Sequence, residues 1–218
     1  MRNPSGLSFR RHSRVGGRRY PERMPSTTMR VGPATAETWP GLERVFGQRG
    51  DPSGCWCQWF KLTGAEYRAT SREEKRGLLR EQTSVSPTAG VIAWEDDEPV
   101  GWSAIEPYSA YPGLARSPIT KRLDGDPVDD LWAVTCFVVR LEHRRKGVAR
   151  ELLLGAVEYA RSGGAAVVEG YPVDPGVRPS LTAAERFHGT VSLFESGGFT
   201  VVRRPSATRA IMRLDIKG

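Results

Sequence analysis

Around Gly147 the chain reads His143-Arg144-Arg145-Lys146-Gly147-Val148-Ala149-Arg150. Four cationic side chains, Arg144, Arg145, Lys146 and Arg150, surround one glycine, and an amphipathic helical pattern starts immediately after it. Cations at a helix start oppose the helix dipole, which favours negative charge there. The arrangement makes physical sense if an anion completes it. A helix start offers unpaired backbone N–H groups that suit phosphate. Gly147 allows close approach of the backbone, Ala149 keeps the next position small, and the cations add charge-assisted contacts. A pyrophosphate held mainly by backbone at 145–149, Val148 included, is the ligand this pattern fits. A Walker loop is disfavoured because Val148 follows the glycine where Lys-Ser/Thr is needed, and so is a dinucleotide fingerprint, which needs three spaced glycines.

Other residues could do chemistry with less support from spacing. Glu106 ends a strand and could act as a base, directly or through water. Tyr171, with Glu169 just before it, could donate a proton to a leaving group. Ser192 opens a short helix and could bridge through water, and His188 carries an imidazole. In Cys55-Trp56-Cys57-Gln58-Trp59-Phe60 the two thiols would share one face of an extended segment. No second such pair or paired histidine supplies four zinc ligands, and the C-x-x-C redox spacing is absent, so no metal is expected and small apolar packing is the plainer reading. The six tryptophans, Trp56, Trp59 and Trp132 among them, with Gln58 between the first two and the acids Asp124, Asp126, Asp129 and Asp130 of the 109–130 loop, suggest a partly aromatic, partly acidic pocket that could attract a cationic group.

The elements that must position these groups follow from periodicity. Residues 131–139, Leu-Trp-Ala-Val-Thr-Cys-Phe-Val-Val, are apolar throughout, as a doubly buried central strand should be. After the basic turn, Val148, Ala149, Leu152, Leu153, Ala156, Val157 and Ala160 fall on one helical face. Residues 165–170 read as the next strand, making a strand–helix–strand unit with parallel strands. Residues 91–95 and 100–107 read as a hairpin, 71–82 as a helix with Ser71 and Glu74 in a capping box, 190–198 as a short helix, and two strands close the chain. Residues 109–130 read as a long loop. The order predicts an α/β fold, a mixed central sheet flanked by helices on both faces.

The spacing R-x-x-G-x-A at Arg144, Gly147 and Ala149, after an apolar strand and opening a helix, resembles the pyrophosphate loop of the GNAT superfamily of N-acetyltransferases. Residues 192–199, Ser-Leu-Phe-Glu-Ser-Gly-Gly-Phe, resemble another segment of that family, and the match in register covers roughly residues 29–216. The segments CWCQW, WAVTCFVV, EGYPVDP and FHGTVSLFESGGF are similar to an actinobacterial-type branch. The resemblance implies a GNAT fold, acetyl-CoA as co-substrate, an amine acceptor (small molecule or protein), and pairing of the Phe137, Val138 and Val139 backbone with the pantetheine arm as if it were an added strand. It also places the family's general-acid tyrosine on Phe194 and one of its bases on Ala133, neither of which can transfer a proton. A non-catalytic acyl-CoA-binding module of the same fold is therefore the rival reading.

Composition bounds the rest. The 218-residue chain carries a net charge of +7, but residues 1–30 hold eight arginines and one acid, which leaves 24 basic and 24 acidic side chains beyond them. Residues 1–28 are expected to be a disordered Arg-rich tail, with a single domain over 29–218. Nucleic acid would be bound only through that tail. No apolar run is long enough for a membrane span, and three cysteines fit a reducing, cytoplasmic home. A homodimer is an open expectation.

Overall fold

The computed structural model describes residues 28–123, 125–126, 130–176 and 183–216, with the side chains of residues 183 and 184 left aside; the expected tail lies almost wholly outside them. In chain order the elements are β1 (Met29–Pro33), α1 (Trp39–Phe46), α2 (Asp51–Cys55), α3 (Gly64–Ala69), α4 (Arg72–Gln82), β2 (Gly90–Glu95), β3 (Glu98–Pro107), α5 (Pro112–Arg116), β4 (Leu131–Val139), α6 (Val148–Ser162), β5 (Val167–Gly170), α7 (Ala183–Arg186), α8 (Val191–Ser196), β6 (Thr200–Ser206) and β7 (Arg209–Asp215). Seven strands form one sheet in the order β1-β2-β3-β4-β5-β7-β6. β4 and β5 are parallel, joined through α6, and the other neighbours are antiparallel.

Each face of the sheet has its own core. Val148, Leu152, Leu153, Ala156, Val157 and Ala160 of α6 pack with Val134 and Phe137 of β4 and with Phe194 of α8. On the opposite face Trp39, Leu42 and Phe46 of α1 pack with Ile92 and Trp102, while Tyr108, Tyr111 and Leu114 cover Ala133 and Ile211. The Ser71–Glu74 capping box forms as expected, and α3 starts with a second one between Thr63 and Glu66. The helix α3 buries none of its residues, so it leaves no apolar stripe in the sequence. Within 109–130, α5 is one short helix entered through Pro112.

Phe194 is wholly buried, with its ring edge-on to Phe137 and Phe199 and seated against Gly170 at the end of β5. A Cβ at Gly170 would lie 2.0 Å from the Phe194 ring. Gly170→Ala is therefore expected to destabilise the protein by about 2–3 kcal/mol, because the ring has no empty volume to move into. A thermal melt checks this, and an unchanged midpoint would contradict the packing.

Candidate active site

The site is built where β4 and β5 part. They pair only from Leu131↔Val167 to Val134↔Gly170. At the next residue β4 bulges: Val134 faces Ile105 and Cys136 faces Ala104, so Thr135 is the extra residue against β3. Beyond the bulge the edge of β4 that faced β5 has no strand beside it among the described residues. Phe137 N–H donates there to Phe187 O at 2.6 Å, His188 Nδ1 lies 3.0 Å from Thr135 O, and Val139 O accepts from Arg144 Nε at 3.1 Å. Thr135, Phe137 and Val139 thus turn their backbone to the open edge. Val138 alternates with them and turns its carbonyl towards Gly101 of β3, so of the three residues expected to pair with pantetheine it is the one placed wrongly for it.

The chain runs from Val139 through a 3-10 turn at Leu141–His143 into the basic stretch. Arg145 has φ 62° and Gly147 φ 85°, both left-handed. Alternating left-handed residues turn successive N–H groups to one side and form an anion-binding nest. Among the described residues the N–H groups of 145–149 donate to no backbone carbonyl, whereas those of Arg150 and Glu151 close onto Gly147 O. Arg144, Arg145 and Lys146 are exposed and have no carboxylate partner among the described residues, and Arg150 reaches Glu151 at 3.3 Å. A residue that carries a Cβ, such as Arg145, is held at positive φ at a cost of about 1–2 kcal/mol, which the surrounding turn must offset. A Cβ at Gly147 would meet nothing within 4 Å. The glycine is needed for its φ and for the open face above it, not for internal packing.

On the α1 face, Thr135, Cys136 and Val138 of β4 floor a cavity of about 550 Å³. Aromatic walls come from Phe46, Trp59, Phe60, Tyr67 and Phe187, and all three cysteines reach it. The Cys55–Cys57 segment is not extended, contrary to expectation. α2 ends at Cys55, and Trp56 and Cys57 follow with φ 47° and 55°, a left-handed turn that sends Trp56 into the core and Cys57 into the cavity wall. Trp102 Nε1 donates to Cys57 Sγ at 3.2 Å, which fixes that thiol. Contact with Cys57, then burial, raises the Cys136 thiol well above its ordinary pKa, and burial first raises Cys55. The Cys55 and Cys136 thiols are therefore neutral, apolar lining. Among the described residues, the side chains close enough together to share a metal ion are Glu98, Glu142 and His143, where Arg140 already pairs with both carboxylates.

The expected site residues divide clearly. Trp59 stands at the cavity rim, 57% exposed. Trp56 stacks on Phe46 in the core, and Gln58 is buried with its amide bonded to Trp56 O and Gln82. Trp132 lies on the α6 face, edge-on to Tyr159. These three do not line the cavity, because their side chains are spent on packing. Glu106 is ion-paired with Lys61, Tyr171 is buried beside Glu169, and Ser192 Oγ bonds Thr190 Oγ1 at the exposed start of α8. None of these three reaches the cavity either. Burial first, then the Glu169 carboxylate, holds the Tyr171 hydroxyl well above its usual pKa. Asp126 pairs with Arg213 and Asp130 O caps the start of β5, so neither acid lies at the cavity; Asp124 and Asp129 fall outside the described residues.

His188 does line the cavity, tilted on Phe60. A carbonyl only accepts, so Nδ1 must donate to Thr135 O and the lone pair sits on Nε2. Burial, then Arg209, lowers its pKa from 6.5 to about 4. The imidazole is neutral at physiological pH. Because the folded pKa lies below the unfolded one, stability is expected to fall as pH drops from about 6.5 towards 4, where the unfolded chain alone takes the proton. Denaturant melts across that window check it, and His188→Gln should flatten the slope. His188 and Cys136 carry no periodic signal as site residues, since the bulge at Thr135 and the parting of β5 decide what they face.

The chain belongs to the GNAT acetyltransferase family: a model of the acetyltransferase (GNAT) family matches residues 56–189. No curated protein matches it in sequence. Among solved structures it is similar in fold to the PaiA N-acetyltransferase from Thermoplasma acidophilum in complex with coenzyme A, at 13% identity and TM-score 0.50 over 86% of this chain and 99% of that one. The GNAT domain of S. lividans PAT gives 16% identity and 0.50 over 86% and 90%, and an N-acetyltransferase from Staphylococcus aureus Mu50 gives 11% and 0.50 over 88% and 100%.

Proposed function

We propose that this protein transfers an acetyl group from acetyl-CoA to an amine, small-molecule or protein-borne, with both substrates bound at once. The observation that supports it most is the run of amides at 145–149, which have no backbone acceptor among the described residues and are held in a left-handed nest among cations at the head of α6. That nest would take the pyrophosphate, with Arg144, Arg145, Lys146 and Arg150 completing the charge. The pantetheine would follow the open edge at Phe137 and Val139 towards the cavity. In doing so it replaces Phe187 O on the Phe137 N–H, so cofactor entry exchanges one hydrogen bond for another.

The amine, held in the cavity, attacks the thioester carbonyl. The C–N bond forms, the C–S bond breaks, the amine proton leaves and the thiolate is protonated. Proximity in the ternary complex supplies much of the rate. His188 Nε2 is the cavity-lining lone pair suited to receive the amine proton once attack has made the nitrogen acidic. Glu106, Tyr171 and Ser192 could take part only through water.

The acyl-CoA-binding module without turnover is favoured by two observations: Ala133 bears no base, and the Phe194 ring is sealed in the core. Coenzyme A calorimetry with a thiol-release assay against an amine panel separates the readings. Binding with acetylation of at least one amine is the expected result; binding with no turnover would favour the module.

A further inference from the structure

We infer that the acceptor is a compact, mainly apolar monoamine with a flat or branched hydrocarbon body, rather than a polyamine or a lysine on a protein surface. The inference rests on the acetyl-transfer reading and deepens it. Five aromatic side chains and three thiols wall the cavity, and its volume of about 550 Å³ suits a small molecule. Its charges balance, with Asp51 and Glu185 against Lys75 and Arg209, so the lining carries no net formal charge to gather a polycation. Most of that charge is already committed. Lys75 Nζ lies over the Tyr67 ring at 3.8 Å from its centroid, and Glu185 and Arg209 both have partners. Asp51, in the first turn of α2, is the lining carboxylate with no ion pair among the described residues. One such carboxylate suits the capture of one ammonium group, which gives up a proton to solvent before the free amine attacks the thioester.

Trp59 gives the inference its handle. It contributes nothing to the core, stands edge-on to Tyr67 with centroids 5.1 Å apart, and presents an exposed indole at the rim. The two left-handed residues before Gln58 hold the turn that carries it. An exposed indole at the rim offers apolar surface to a flat ligand.

The test uses the full chain with saturating acetyl-CoA and measures thiol release with phenethylamine, isoamylamine, spermidine and a lysine-containing peptide. Coenzyme A calorimetry runs in parallel for the parent protein and Trp59→Ala. The expected result is a kcat/KM for phenethylamine or isoamylamine at least about tenfold above spermidine and the peptide. Trp59→Ala should raise the phenethylamine KM about tenfold while coenzyme A affinity stays the same. Equal or better use of spermidine or the peptide overturns the inference, as does an unchanged KM in Trp59→Ala. Coenzyme A binding with no turnover of any amine overturns it and leaves the cofactor site standing. Absence of coenzyme A binding overturns both it and the acetyl-transfer reading.

Discussion

Replacing Arg144 with Glu and Gly147 with Val together is expected to weaken coenzyme A binding by at least about 100-fold, and by as much as about 1000-fold. Two losses add. Valine at φ 85° carries a left-handed penalty of about 1–2 kcal/mol, and relief of that strain turns the N–H groups of 145–149 away from a common point. Glutamate at 144 removes charge-assisted bonds of roughly 1.5–3 kcal/mol and adds repulsion towards the diphosphate. The fold should survive both changes. Arg144 is exposed, and a side chain at Gly147 meets no neighbouring atom at its Cβ. Calorimetry on the double variant, with a melt to show that it is folded, checks this. An affinity within threefold of the parent would remove the nest from the cofactor site.

Arg213→Met is expected to cost about 3–5 kcal/mol of stability, a fall of roughly 10 °C in Tm for a domain of this size. Arg213 Nε donates to Glu169 at 2.6 Å and Nη2 to Asp126 at 2.7 Å, and the Glu169 side chain is only 1% exposed. Without the guanidinium, Glu169 is a buried carboxylate with no counter-charge. The cost belongs to the stranded charge more than to the bond, so adding Glu169→Gln should restore part of the loss. Thermal and urea melts of the single and double variants decide it. A single variant as stable as the parent would mean that water already solvates Glu169.

The same pair explains why part of the site was hidden in the sequence. Glu106, Ala133, Glu169 and Arg213 lie in one row across β3, β4, β5 and β7. Read along the chain, Glu106 and Glu169 are strand-end carboxylates free for chemistry; read across the sheet, they are ion pairs with Lys61 and Arg213. Cross-strand partners have no fixed sequence spacing, so no periodicity reveals them. The β4–turn–α6 unit was legible because its signals are local: an unbroken apolar strand, a glycine among cations, and a 3.6-residue stripe. Trp59 and Trp56 show the boundary between the two cases. They are three residues apart with the same side chain, and only the left-handed turn at Trp56 and Cys57 decides that one enters the core and the other the rim. The helices α2, α3, α5 and α7 leave no signal in the sequence because they are four to six residues long and too short to develop an apolar face.

The central claim is that the amides at the head of α6 grip the diphosphate of coenzyme A, and the most direct measurement is amide NMR of the isotope-labelled protein during a titration with coenzyme A. The account predicts saturable shifts, at one equivalent, of the 145–149 resonances together with Phe137, whose bond to Phe187 must be exchanged. Unshifted resonances at 145–149 in the presence of bound coenzyme A would contradict it.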